Sequence, residues 1–242
     1  MNKRKYKNPA LIETVFELRF PSNKEWSLAT FVNFANKAKD AGYPDVVEGT
    51  PGFQFDFPVD QSDQPKMKPV ARRIQAWNKD KTALLQAGTE IFAANRRVPY
   101  LGWDNFLPSI LDGFAIYSKI ANPKKAERLS LNYINRIEFG PNDPPDNYIN
   151  FLPPGIKYAD HIQAFGCQTE QSFRDGDIIV VSAARDLAPQ TFAVILNIVY
   201  VKKLPTLALK GLKASIETAH SRLIEAFEAT ITDQQRERMK QI

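Results

Sequence analysis

The 242-residue sequence has one cysteine, Cys167, and only two histidines, His161 and His220. A single cysteine excludes an internal disulfide, and so small a stock of soft ligands offers no zinc pattern. A Cys–His nucleophilic pair would have to join Cys167 to His161. Cys167, however, sits in a strand pattern among Phe165, Thr169 and Phe173, the setting of a buried structural thiol. The sequence contains neither G-x-x-x-x-G-K-[ST] nor G-x-G-x-x-G, so no familiar phosphate-cradling loop is present. No metal and no cofactor are expected. No apolar run reaches the ~18 residues needed to cross a bilayer. The opening "MNKRKYKNPALIE" follows its basic residues with Pro9 and Glu13, where a signal peptide requires an apolar stretch. These features predict a cytoplasmic protein that keeps off the membrane.

What the sequence does have is the make-up of a globular chain, 43% hydrophobic and 24% charged, long enough to bury a large core. The formal charge of +5 is modest for this length. Basic residues gather in two places: Lys3, Arg4, Lys5 and Lys7 at the start, and Lys66, Lys68, Arg72, Arg73, Lys79 and Lys81 further on. These are the candidates for anion contact.

"LIETVFELRF" alternates, with Ile12, Phe16, Leu18 and Phe20 on one face and Glu13, Glu17 and Arg19 on the other, which predicts a half-buried strand ended by Pro21. Ser22 and Glu25 fit a capping box. Leu28, Phe31, Val32, Ala35 and Ala38 follow at helical spacing, with Gly42 at the left-handed cap position. "VVEGTPGFQFDFPV", "RRIQAWN" and "TALLQAGTEIFAANRR" read as three strands. A second helix carries Trp103, Phe106, Leu107, Ile110, Leu111, Phe114, Tyr117 and Ala121, and Pro108 bends its first turn or marks its start.

After this β-α-β-β-β-α order, residues 123–242 read in the same way. A strand at 128–139 is followed by a proline-rich irregular stretch, by "IQAFGCQTEQSF", "DIIVVSAARD" and "TFAVILNIVYVKK", and by a helix with Leu209, Leu212, Ile216, Ala219, Leu223 and Phe227 on one side. Asp175-Gly176 signals a two-residue type I′ hairpin, and Thr232 to Gln235 caps a short terminal helix. The prediction is an α+β protein of two duplicated halves, 1–122 and 123–242, coupled as one unit with antiparallel sheet and helices on one face. If the two opening strands pair centrally, Glu13 and Glu17 come near Arg128 and Arg136.

Glu13 and Glu17 lie roughly 13 Å apart along one strand, too far to be a paired acid and base, so cross-strand ion pairs are expected. In "RLSLNYINRIEF" the amide of Asn135 shares a face with Leu129, Leu131, Tyr133, Ile137 and Phe139. An unbonded buried amide costs about 1–3 kcal/mol, so Asn135 should be bonded, with the backbone near Pro141 as the expected partner. Arg136 points the other way and suits a neighbouring carboxylate or a partner's phosphate equally well. The stretch "NRRVPYLGWDNF" concentrates Arg96, Arg97, Tyr100 and Trp103, which is the composition of a binding hot spot or a stacking platform. Trp103 continues an apolar stripe, so core packing is the favoured role for it.

"NPALIETVFELRF", "VPYLGWDNFLP", "LSLNYINRIEF" and "AHSRLIEAFEATITD" together resemble an uncharacterised bacterial family of sporadically distributed conserved hypothetical proteins, over residues 8 to about 236. This chain has Asn132 before Tyr133, where the family more often has Arg. The resemblance implies no activity, and its patchy distribution implies association with mobile or defence genes. The leading expectation is therefore a non-enzymatic protein-binding accessory subunit of a bacterial defence or toxin–antitoxin system, with a partner encoded by a neighbouring gene. One alternative is a nucleic-acid-binding protein that places Arg72, Arg73, Arg96, Arg97 and Arg136 on phosphates and stacks Trp77 or Tyr100. The other is an enzyme on phosphorylated small molecules, with Glu13, Glu17 and Arg136 in a cleft.

Overall fold

The computed structural model describes the chain except residues 1–3, 22–25, 50–52, 57–65, 70–72, 142, 152–163, 189–191 and 205–210, and describes 53–56 and 66–69 by backbone alone. The capping box expected at Ser22 and Glu25, Arg72, His161, Leu209 and the side chains of Lys66 and Lys68 lie outside the described residues.

In chain order the strands are β1 (Leu11–Arg19), β2 (Asp45–Glu48), β3 (Phe53–Asp56), β4 (Lys66–Pro69), β5 (Arg73–Trp77), β6 (Ala83–Gly88), β7 (Ile91–Arg97), β8 (Arg128–Glu138), β9 (Gly166–Ser172), β10 (Ile178–Arg185) and β11 (Ala193–Lys203). The helices are α1 (Leu28–Asp40), α2 (Trp103–Ala121), α3 (Leu212–Thr230) and α4 (Asp233–Met239). Nine strands form one antiparallel sheet in the order β2-β5-β6-β7-β1-β8-β11-β10-β9, and β3 and β4 make a separate hairpin. The class is α+β, as the element pattern predicts. "TALLQAGTEIFAANRR" is two strands and not one, because Thr89 and Glu90 turn the chain between β6 and β7.

The two opening strands do pair at the centre, β1 against β8. From that pair, each side of the sheet runs outward through β7-β6-β5 and β11-β10-β9 respectively. Residues 1–122 and 123–242 differ: α1 follows β1, whereas the described residues between β8 and β9 hold only a 3-10 turn at Pro145–Asn147; among the described residues β2 and the β3–β4 hairpin have no counterpart after β8, and α4 has none before it. The β-α-β-β-β-α order expected for 123–242 is therefore β-β-β-β-α-α in the described residues.

Alternation decides what is buried. On β8, Leu129, Leu131, Tyr133, Asn135 and Ile137 face inward, and Phe16 and Leu18 of β1 join them. Ile12 does not: the pairing of β1 with β8 slips by one residue between Leu11 and Glu13, a bulge that turns Leu11 inward instead. Helix α2 lies over β6 and β7, where Gly113 meets Leu85 and Phe92, and α3 lies over β8 and β11. On α1 the buried residues are Phe34 and Ala38, while Leu28 is 70% and Val32 49% exposed, so the inward stripe is rotated from the one expected. Its cap is Ser27, in a capping box with Thr30, and Gly42 closes it at φ +93°. Pro108 lies inside α2, which starts at Trp103, and so neither marks the helix start nor sits in its first turn. The β9–β10 hairpin forms, but only Gly176 has positive φ. It closes over Arg174–Gly176 as a three-residue turn with glycine in the left-handed position, not as the type I′ turn expected. Thr232 caps α4 as expected, accepting from the Gln235 N–H.

Candidate functional site

Residues that alternate with the core set point to the outer face of the sheet, away from α1, α2 and α3. Over β8, β11 and β10 this face is half-exposed and forms a groove of about 340 Å³. Register gives its layout. Val180, Val199, Asn132 and Val15 stand in one row across β10, β11, β8 and β1, and Ser182, Asn197 and Ile134 stand in the next. Along a third row Ile178, Val201, Ser130 and Glu17 are opposite one another. The groove is thus lined by valines, amides and hydroxyls, with Glu17 and Arg128 at one end and Gln168 and Glu170 of β9 beside β10. The side-chain oxygens of Asn132 and Asn197 are buried and accept no hydrogen bond.

At one end a row of cations crosses the sheet. Arg19 is opposite Arg128, and Arg128 is opposite Lys203. Glu17 accepts from Arg19 Nε at 2.6 Å and from Arg128 at 3.2 Å. Arg73 of β5 interacts with the same carboxylate; its Nε is buried without a partner, and burial lowers its pKa against the pull of Glu17.

The other half of the outer face has its amides satisfied. Gln75 donates to Gln86 at 3.3 Å, Gln86 to Asn95 at 3.0 Å, and Asn95 to Glu13 at 2.8 Å, a chain across β5, β6, β7 and β1. Glu13 also pairs with Arg97 at 3.6 Å. Arg97 covers the Trp77 ring at 4.7 Å.

The sequence candidates therefore part company. Glu17 meets Arg128 as expected, but Arg136 meets neither glutamate. It bonds Asp186 at 3.0 Å and pairs with Glu138, while register sets Glu13 opposite Ile134 and the Arg136 N–H donates to the Ala10 carbonyl. The Ala188 N–H and then Arg136 hold the Asp186 carboxyl below its usual pKa. Glu13, Glu17 and Arg136 each have their own partners and form no shared cleft. Arg96 and Arg97, being sequential on β7, point to opposite faces. Asn135 is 3% exposed and donates to the carbonyls of Tyr133 and Leu196, both at 3.3 Å, not to the backbone near Pro141.

Tyr100 and Trp103 pack inward. The Trp103 ring stacks on His220 at 3.9 Å with planes 3° apart, and its Nε1–H donates to Glu217 at 3.2 Å. The Tyr133 hydroxyl lies 2.5 Å from His220 Nδ1. The Tyr100 hydroxyl is close enough to Tyr133 for each to influence the other's ionisation, and burial pushes the Tyr100 pKa up to about 12. Three separate stretches of the chain, at Tyr100–Trp103, Tyr133 and His220, thus meet in one buried cluster joining α2, β8 and α3. Cys167 is half-buried against the Ala183 carbonyl at 3.7 Å, and burial raises its pKa, which suits a packing thiol.

Sequence reasoning missed Asn132 as a site residue, noting it only as a departure from the family pattern, and missed Asn197, Ser130 and Ser182 altogether. The available signal was the one used for Asn135: polar residues inside otherwise apolar strands. Among the described residues no cluster of three His, Cys, Asp or Glu could hold a metal, and no described helix is long and apolar enough to cross a membrane. No protein-family model, curated protein or solved structure matches this chain.

Proposed function

We propose that this protein is a non-enzymatic binding subunit, working in the cytoplasm, that engages a protein partner through the outer face of its sheet. One observation carries the reading: the groove over β8, β10 and β11 is half-exposed and walled by Val15, Val180, Val199 and Val201, while the helices are spent on the opposite face. Partly exposed apolar surface rimmed by polar groups is how interaction sites present themselves. The family resemblance adds the setting, an accessory role in a bacterial defence or toxin–antitoxin system with the partner encoded nearby. Strand order that runs outward in the same way from β1 and from β8 supports the companion reading that 1–122 and 123–242 are duplicated halves.

A second reading, nucleic-acid binding, is favoured by the row of Arg19, Arg128 and Lys203 at one end of the same face, with Arg73 acting on the same carboxylate. One experiment separates the two. Tagged protein is used to capture partners from its native host, with and without nuclease, beside Val180→Arg, which places a charge in the groove wall. A protein partner that survives nuclease and is lost with Val180→Arg is the expected result; capture indifferent to Val180→Arg overturns it. Co-purifying nucleic acid that falls away steeply with salt, as counterion release requires, selects the second reading.

A further inference from the structure

Amides on the outer face fall into two groups. Gln75, Gln86 and Asn95 are chained to one another and to Glu13. Asn132 Oδ1 and Asn197 Oδ1, on the same face of the same sheet, are buried and bonded to nothing, and both residues line the groove. Asn132 is opposite Val199 and Asn197 is opposite Ile134, so the two amides are diagonal neighbours on adjacent strands, roughly 7–8 Å apart. Two enclosed acceptors left unmatched on neighbouring strands, where the amides of β5, β6 and β7 on the same face are matched, are what a site waiting for donors looks like.

We infer that the groove binds a small molecule with an amide-like edge, an N–H donor beside an acceptor, of nucleobase or nucleoside size. Each asparagine carries an oxygen and an NH2, so a turn of the amide that brings its enclosed oxygen to the groove surface lets it pair bidentately with such an edge, as asparagine does with the edge of adenine. Val15, Val180 and Val199 supply flat apolar contact for a ring. The volume of about 340 Å³ is at the small end of ligand pockets.

The inference rests on the outer face being the recognition surface. Its test is calorimetric titration and thermal denaturation of the full chain with adenosine, cytidine and nicotinamide as probes. At least one probe should bind and raise Tm by several degrees at saturation. Asn132→Leu and Asn197→Leu should each weaken that binding about tenfold or more while leaving the unliganded protein as stable as the parent or more so, since each removes an unbonded buried oxygen. Val199→Trp, which fills the groove without altering either amide, should abolish binding, and it decides the matter if a leucine variant does not fold. No response to any of the three probes overturns the inference. So does binding that survives Val199→Trp, or a leucine variant that folds but unfolds more easily than the parent. Loss of the inference with Val180→Arg-sensitive partner capture intact leaves the proposed function standing; probe binding with capture indifferent to the groove does the reverse.

Discussion

Asn135 and Asn132 are three residues apart on one strand and have opposite fates. Alternation alone places Asn135 inward among leucines, and that much was legible in the sequence. Its bonding was not, because both acceptors are backbone carbonyls in its own strand pair, one on β11, and cross-strand register cannot be read from a single sequence. For the same reason Asn132 and Asn197 were visible as polar residues in apolar strands but not as neighbours. The role of Asn135 as a donor can be tested. Asn135→Ala should lower stability by about 1–3 kcal/mol. Asn135→Asp, nearly the same shape, should cost more at pH 7, because a carboxylate can only accept and would face two carbonyl oxygens. That environment raises the folded-state pKa of the new carboxyl, so the penalty should shrink as the pH falls through that pKa and the protonated group regains a donor. Urea unfolding at pH 7 and near pH 4 measures the order, and an aspartate variant as stable as the parent would show that the amide donates nothing.

At the scale of elements, clean periods were read correctly: β1, β8, β10, β11, α2 and α3 all lie where alternation or a 3.6-residue stripe puts them. Errors arose where two signals competed. On α1 the exposed Leu28 and Val32 masked the inward Phe34, and Thr89-Glu90 is a turn that composition does not announce between a fully buried strand and one buried over its first five residues. Gly113 shows an element-level constraint that propensity would misjudge. Alanine there gains up to about 1 kcal/mol of helix propensity. An added Cβ, however, would come within 2.7 Å of Leu85 Cδ2 and 3.1 Å of Phe92 Cζ, both residues being essentially fully buried. Overpacking of that kind costs about 1–3 kcal/mol, so packing wins over propensity. Gly113→Ala should therefore lower the urea midpoint, and Leu85→Val should cost less in the alanine background than in the parent, where it only opens space. Additive losses in that double-mutant cycle would mean that α2 does not rest on β6 through this contact.

The molecule as a whole is held across the seam between 1–122 and 123–242. Strand β1 has β7 on one side and β8 on the other, so residues 1–122 alone would leave β1 with an unpaired edge at what is now the sheet centre, and residues 123–242 alone would do the same to β8. An exposed edge of that length is an invitation to wrong pairing. Side chains bridge the same seam: Arg128 reaches Glu17, and Trp103 of α2 stacks on His220 of α3 while Tyr133 of β8 touches the same imidazole. Each half depends on the other both for backbone pairing and for core contacts, which is a condition for all-or-none unfolding. Calorimetry of the full chain should accordingly give one transition whose calorimetric and van't Hoff enthalpies agree. Residues 1–122 and 123–242 expressed separately should be unfolded or aggregated, yet yield a soluble complex with native-like circular dichroism when co-expressed. A half that folds alone as a monomer, or two resolved transitions in the intact chain, would mean that the central β1–β8 pair joins two independent domains instead of making one.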